Sequence, residues 1–261
     1  MKLDLYQVDA FAEKLFTGNP AAIIPLQDWI PDDMMQQVAM ENNLSETAYF
    51  VKSDAGYEIR WFTPEFEIDL CGHATLASAY VIKNFLEPHL AEINFTTQKA
   101  GNLRAFAKDG MYTLDFPSRM PQKTDVPSQL LKSVGTTNAV EILKSRDYFI
   151  VLPDEDAVMN AEPDFTIMKE IDTIGVIITA KGRSADVVSR CFYPGAGIPE
   201  DPVTGSAHCN IVPYWAGRLG KEKLHCKQLS QRGGDLWCEL EGDRVLMSGK
   251  VVLFMRGEID I

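Results

Sequence analysis

Arg60-Trp61-Phe62-Thr63-Pro64, followed after seven intervening residues by Gly72-His73-Ala74, decides the reading of this chain because it occurs twice. Arg190-Cys191-Phe192-Tyr193-Pro194 is followed after ten residues by Gly205-Ser206-Ala207. Two copies of so sparse a pattern, half a chain length apart, point to a duplicated chain. A duplicated chain folds as two similar lobes, and small-molecule sites favour the cleft between lobes. Chemistry is therefore sought first at the two Gly-x-Ala corners.

Around the repeats, strand signals outnumber helix signals. Tyr57, Ile59 and Trp61 alternate with Glu58 and Arg60, and Phe66, Ile68 and Leu70 alternate with Glu67 and Asp69. Residues 175–179 and 186–193 read as a strand pair joined across Lys181-Gly182-Arg183. Short strands are also expected over 3–8, 21–24, 103–107 and 111–116. Pro31 in a first turn with Asp32 and Asp33, then Met34, Met35, Val38 and Ala39 on one face, predicts a helix. Each repeat ends in a second kind of helix. Residues 74–82 are small and apolar on nearly every side, so that helix must be surrounded by other structure. Its counterpart from Ser206 onward carries Pro213, which should kink it. The expected fold is α+β: two pseudo-symmetric lobes, each a curled, mostly antiparallel sheet wrapped around a central helix. The proline-punctuated stretch from Pro117 to Pro127 marks the boundary. Residues 1–118, joined by a C-terminal strand over 247–261, are assigned to the first lobe and 119–246 to the second.

Composition narrows the partners. A length of 261 residues is ample for two cores, and a net charge of −12 counts against nucleic acid as a ligand. The mostly apolar stretch from Ala74 to Leu86 is interrupted by Ser78, Lys83 and Asn84 and cannot span a bilayer. No apolar run follows Lys2, so no signal peptide is read, and the five cysteines show no disulfide spacing. A cytoplasmic protein with reduced thiols is expected, with neither membrane nor nucleic acid as partner. No Gly-x-Gly-x-x-Gly follows a strand and no phosphate loop occurs, so neither cofactor nor metal is expected.

The titratable candidates lie beside the repeats. Glu46 opens the segment Glu46-Thr47-Ala48-Tyr49-Phe50-Val51 and shares a strand face with apolar Ala48 and Phe50, company that favours a proton-shuttling carboxyl. Alternatively it is a solvated strand end. His73 stands at a helix N-terminus, where the dipole favours a neutral imidazole. Asp201 and Ser206 flank the second helix start and serve either as ligand-binding groups or as caps. Gly72 and Gly205 open helices whose free N–H groups suit a carboxylate, or are tight-turn glycines. Cys71, His73, His208 and Cys209 can be drawn as a zinc site, but adjacent helical residues point about 100° apart. Ser206, His73 and Asp201 invite a hydrolase triad, but Ser206 lacks a Gly-x-Ser-x-Gly elbow.

Asp9-x-Phe11…Gly18-Asn19-Pro20-Ala21-Ala22, Asn43-Leu44-Ser45-Glu46-Thr47, Cys71-Gly72-His73-Ala74-Thr75 and Asp201-Pro202-Val203-Thr204-Gly205-Ser206 resemble, in order, the signature blocks of the PhzF-like phenazine-biosynthesis family. That family's fold resembles diaminopimelate epimerase. The resemblance implies a cofactor-independent isomerase in which Glu46 moves a proton along a small cyclic carboxylate such as a dihydro-hydroxyanthranilate. It implies catalytic roles for His73 and Asp201, substrate-binding roles for Gly72, Ser206, Gly205 and Asn19, and a homodimer. Epimerases of this fold use a thiol from each lobe. Here Cys71 has no matching cysteine at the second corner, so a two-thiol amino-acid or hydroxy-acid racemase is the weaker reading. A non-catalytic carboxylate-binding protein is the third.

Overall fold

The computed structural model describes residues 1–261 and divides into two compact units: Met1–Phe116 with Leu246–Ile261, and Pro117–Val245. In the first unit, β1 (Lys2–Ala10) lies antiparallel to β2 (Asn19–Leu26). The helix α1 (Asp32–Asn42) carries the chain across to β3 (Glu46–Ser53), parallel to β2. An antiparallel turn leads to β4 (Gly56–Phe62), which pairs with the two-residue β5 (Glu67–Ile68). After α2 (Gly72–Val81), β6 (Glu92–Thr96) runs parallel to β4, followed by antiparallel β7 (Asn102–Lys108) and β8 (Met111–Pro117).

The second unit repeats this wiring. A short pair, β9 (Gln122–Lys123) and β10 (Glu141–Lys144), flanks α3 (Leu130–Ser133), and β10 lies antiparallel to β11 (Tyr148–Val151). Two short helices, α4 (Glu155–Met159) and α5 (Phe165–Lys169), lead to β12 (Val176–Lys181), parallel to β11. Then come antiparallel β13 (Val187–Tyr193), β14 (Ile198–Asp201), the long α6 (Gly205–Leu219), and β15 (Lys223–Gln228), parallel to β13. An antiparallel β16 (Gly234–Glu241) follows, β17 (Arg244–Gly249) leads the chain back into the first unit, and β18 (Val251–Asp260) pairs there with β1.

The sequence repeat is also a side-chain repeat. Arg60 donates from Nε and Nη2 to the two carboxylate oxygens of Glu67 at 2.7 and 2.8 Å and stacks 5.2 Å over Phe62. Arg190 does the same with Glu200, at 2.7 and 3.0 Å, and stacks 5.2 Å over Phe192. Residues i and i+2 share a strand face, so each arginine lies over its own phenylalanine while its planar fork grips a carboxylate on the next strand. The strand expected over 66–70 shrinks to Glu67–Ile68. Thr63 Oγ1 accepts from the N–H groups of Glu65 and Phe66, and the tight turn leaves only two residues to pair before α2 begins.

Both central helices are enclosed by their own unit. All of α2 except Tyr80 is buried, and its alanines let strands approach closely. Its hydroxyls bond within the helix: Ser78 Oγ to the Ala74 carbonyl at 2.8 Å, and Thr75 Oγ1 to the Cys71 carbonyl. Core side chains such as Ile24, Tyr49 and Phe62 in one unit, and Ile150, Ile178 and Phe192 in the other, are each worth roughly 1.5–3 kcal/mol of burial. The α6 helix continues through Pro213. Proline removes the N–H that would have bonded the Cys209 carbonyl. The Arg119 N–H fills the gap, donating to that carbonyl at 2.8 Å.

Candidate active site

In the first unit the expected residues converge. The αL conformation of Asn43 (φ 48°) ends α1 and turns the chain into β3, whose first residue, Glu46, pairs in register with Ala21 of β2. Gly18 sits at φ +71°, where an added Cβ would lie 2.3 Å from the Ala10 carbonyl oxygen, so only glycine can feed Asn19 into β2 here. Cys71, in extended conformation, is the N-cap residue of α2, and neither α2 nor α6 has a side-chain cap hydrogen bond. Gly72 and His73 form the first turn of α2, whose leading N–H groups have no intrahelical partner.

His73 is the hub. Asn19 Nδ2 lies 3.1 Å from its Nδ1, Cys71 Sγ lies 3.5 Å from the same nitrogen, and Glu46 Oε2 lies 3.1 Å from Nε2. Whether the Asn19 amide or His73 Nδ1 donates depends on the protonation of the ring. Glu46 is only 6% exposed, so it is no solvated strand end. The 3.1 Å approach is not aligned as a hydrogen bond, and Glu46 Oε2 and His73 Nε2 are both buried without a hydrogen-bond partner. A buried carboxylate oxygen left in this condition is costly unless something else engages it.

The electrostatics correct one expectation. A helix N-terminus favours neutral imidazole, yet His73 is held well above the ordinary histidine pKa. Burial alone would lower it, but Cys71 and the Glu46 carboxylate outweigh burial and favour the imidazolium. Cys71 moves the other way: burial, with Glu46 nearby, pushes its thiol up to about 11. It is a buried thiol, not a poised nucleophile. Ligand atoms of Glu46, Cys71 and His73 lie within 4.8 Å of one another, a spacing a metal could use. The contacts show Cys71 and Glu46 at opposite ring nitrogens of His73, so they do not address one shared position beside a single nitrogen.

In the second unit, Asp201 ends β14, buried, and accepts from Thr204 Oγ1 at 2.5 Å. The N-cap residue of α6 is Thr204, not Asp201 or Ser206. Gln228 fixes this corner, accepting from the Thr204 N–H at 2.8 Å and donating to the Asp201 carbonyl at 2.7 Å. Gly205 opens the helix, and Ser206 Oγ accepts from Arg146 Nη2 at 3.4 Å. His208, on the same helix, faces the Thr204 carbonyl at 2.8 Å from Nδ1, and burial pulls its pKa down to about 4. Sequence reasoning passed over Gln228, Arg146 and Asp147. An adjacent Arg-Asp pair before an apolar strand is common, and nothing local marks it as part of a helix corner 60 residues later.

Fold and site together place a carboxylate and an imidazole at the start of a buried helix in an α+β chain built of two similar units. The phenazine biosynthesis-like (PhzC-PhzF) family model matches residues 8–257, and the chain belongs to this family. It is 45% identical to an uncharacterized isomerase of Pseudomonas aeruginosa, over 100% of both chains. The crystal structure of a PhzF-family phenazine biosynthesis protein of Enterococcus faecalis matches with a TM-score of 0.96 at 47% identity, covering 100% of each chain. A predicted epimerase of P. aeruginosa, at 20% identity and a TM-score of 0.78 over 98% of this chain and 99% of that one, shares the fold. These relationships place the chain among the isomerases. No helix is long and apolar enough to cross a membrane.

Proposed function

We propose that the protein is a cofactor-independent isomerase that shifts a proton between carbons of a small cyclic carboxylate, a dihydro-hydroxyanthranilate-type ring being the reference substrate. The observation that carries this reading is the buried Glu46 oxygen, without a hydrogen-bond partner and 3.1 Å from the His73 imidazole. Glu46 removes a proton from a saturated ring carbon, and the C–H electron pair enters the conjugated system of the ring. The same carboxyl returns the proton to a second ring carbon, so one C–H bond breaks, one forms, and no electrons are gained or lost. His73 stands 3.1 Å from the Glu46 carboxyl, and the opening N–H groups of α2 suit the anionic intermediate.

A single base is favoured over a thiol pair by the repeat itself. The residue before the helix is Cys71 at one corner and Thr204 at the other, both N-cap residues. Asp201, Gly205 and Ser206 are retained in the proposal as substrate-orienting groups, with Asn19 holding His73. A cytoplasmic homodimer completes it, checked by sedimentation.

Glu46→Gln keeps the shape and removes the proton carrier. Turnover, read as isomerisation or as solvent deuterium exchange into the ligand, should fall by roughly a hundredfold or more while binding survives. His73→Asn and Asp201→Asn should lower turnover and weaken binding together. Full activity in a folded Glu46→Gln protein would remove Glu46 from the mechanism.

A further inference from the structure

We propose that Arg146 is a specificity-determining residue, a pinned guanidinium that anchors an anionic oxygen of the substrate beside Ser206. The inference rests on the small-carboxylate reading above and names the group that recognises the carboxylate. Asp147 is 1% exposed and takes both Nε and Nη2 of Arg146, at 3.0 and 2.7 Å. The guanidinium also faces the Tyr193 ring at 5.9 Å, and the Tyr193 hydroxyl donates to Asp147 at 3.4 Å. Tyr193 fits because Gly175 has no side chain: a Cβ there would stand 2.2 Å from the ring.

The pinning leaves one edge unused. Nε and Nη2 are committed to Asp147, with Nη2 also reaching Ser206 Oγ at 3.4 Å, and Nη1 makes no hydrogen bond. The side chain is about one-third exposed (35%), which leaves part of it open to a small ligand. Ser145, the preceding residue, donates to Asn210 of α6 and ties this loop to the helix that presents Ser206. A guanidinium fixed in this way loses little freedom when an anion arrives. Its buried counter-charge means that it selects by geometry, through Nη1 held in place beside the Ser206 hydroxyl, and an oxygen of a ring carboxylate suits that position.

The test is calorimetric titration of the full-length protein with anthranilate and with anthranilamide, its uncharged carboxamide. It is run on the Glu46→Gln background, so that failure of the proton-transfer reading does not affect the readout. The parent should bind the carboxylate about tenfold or more tighter than the amide. Arg146→Gln should bring that ratio to near one while leaving amide affinity in place. Arg146→Lys, which keeps a cation for Asp147 but loses the fork, should fall between, and it carries the test if Arg146→Gln fails to fold. A ratio unchanged in Arg146→Lys and in any folded Arg146→Gln protein would overturn the proposal, as would a parent that binds neither compound or shows no preference.

Discussion

The two helix corners share a frame and differ in what they hold. In β3 and β4, Thr47 pairs with Phe62; in β12 and β13, Val176 pairs with Phe192. One residue back from each register point stands Glu46 in the first unit and Gly175 in the second. The first corner thus carries a carboxylate against His73, whereas the second has no side chain there, and the ring of Tyr193 fills the space. Beside that ring, the Asp147 carboxylate is paired with Arg146. The arginine–carboxylate–phenylalanine scaffold stands at both corners, whereas a buried carboxylate against an imidazole stands at one. The comparison favours chemistry with one base over chemistry with a symmetric pair.

The strongest way to break this comparison is to move the base. Glu46→Gly should cut deuterium exchange by a hundredfold or more. Adding Gly175→Glu should not restore it, because Tyr193 occupies the space a carboxylate would need; recovered exchange would show that the corners are interchangeable. Next is the cost of the glycine itself. Gly175→Ala should lower stability by about 1–3 kcal/mol in urea unfolding, the usual cost of overpacking, whereas an unchanged midpoint would mean that Tyr193 moves aside freely.

The scaffold arginines sharpen the likeness. Arg60→Gln and Arg190→Gln should each cost roughly 1–2 kcal/mol, discounted from a fully buried pair because Glu67 and Glu200 retain partial exposure. Costs that differ several-fold would deny the equivalence.

The smallest effect is in pH dependence, at most about 1.4 kcal/mol per pH unit for each histidine. His208 has a depressed pKa, about 4 against about 6.5 unfolded, so between these values the unfolded state binds more protons and stability falls as pH falls. His73 has a raised pKa, so its contribution is complete below about 6.5 and is lost as pH rises through the folded value. Subtracting the pH–stability profile of His208→Gln from wild type should leave a term that grows on the acid side. The same subtraction for His73→Asn should leave one that shrinks on the alkaline side. Two terms of the same sign would refute the opposite assignments.

The amino-acid sequence by itself determined the duplication, the α+β class and the enclosed character of α2, each written in local patterns: a repeated motif, alternation for strands, and all-round small apolar residues for a buried helix. The meeting of Glu46, His73 and Asn19 was implied only by the family resemblance of their motif blocks. Pro213 was legible as an expected kink, but the Arg119 N–H that answers its missing donor is 94 residues away and could not be read locally. Tertiary structure alone set the direction of the His73 shift, since a helix terminus argues for a neutral ring and the closeness of Cys71 and Glu46 raises its pKa. It alone set Arg146 against Ser206, Asp147 and Tyr193 against Arg146, and Gln228 behind Asp201. The physical reason is the same in each case. Backbone propensity and hydrophobic period act over a few residues, whereas a pKa or a pinned guanidinium depends on distances of about 3 Å between side chains from strands and helices far apart in the chain.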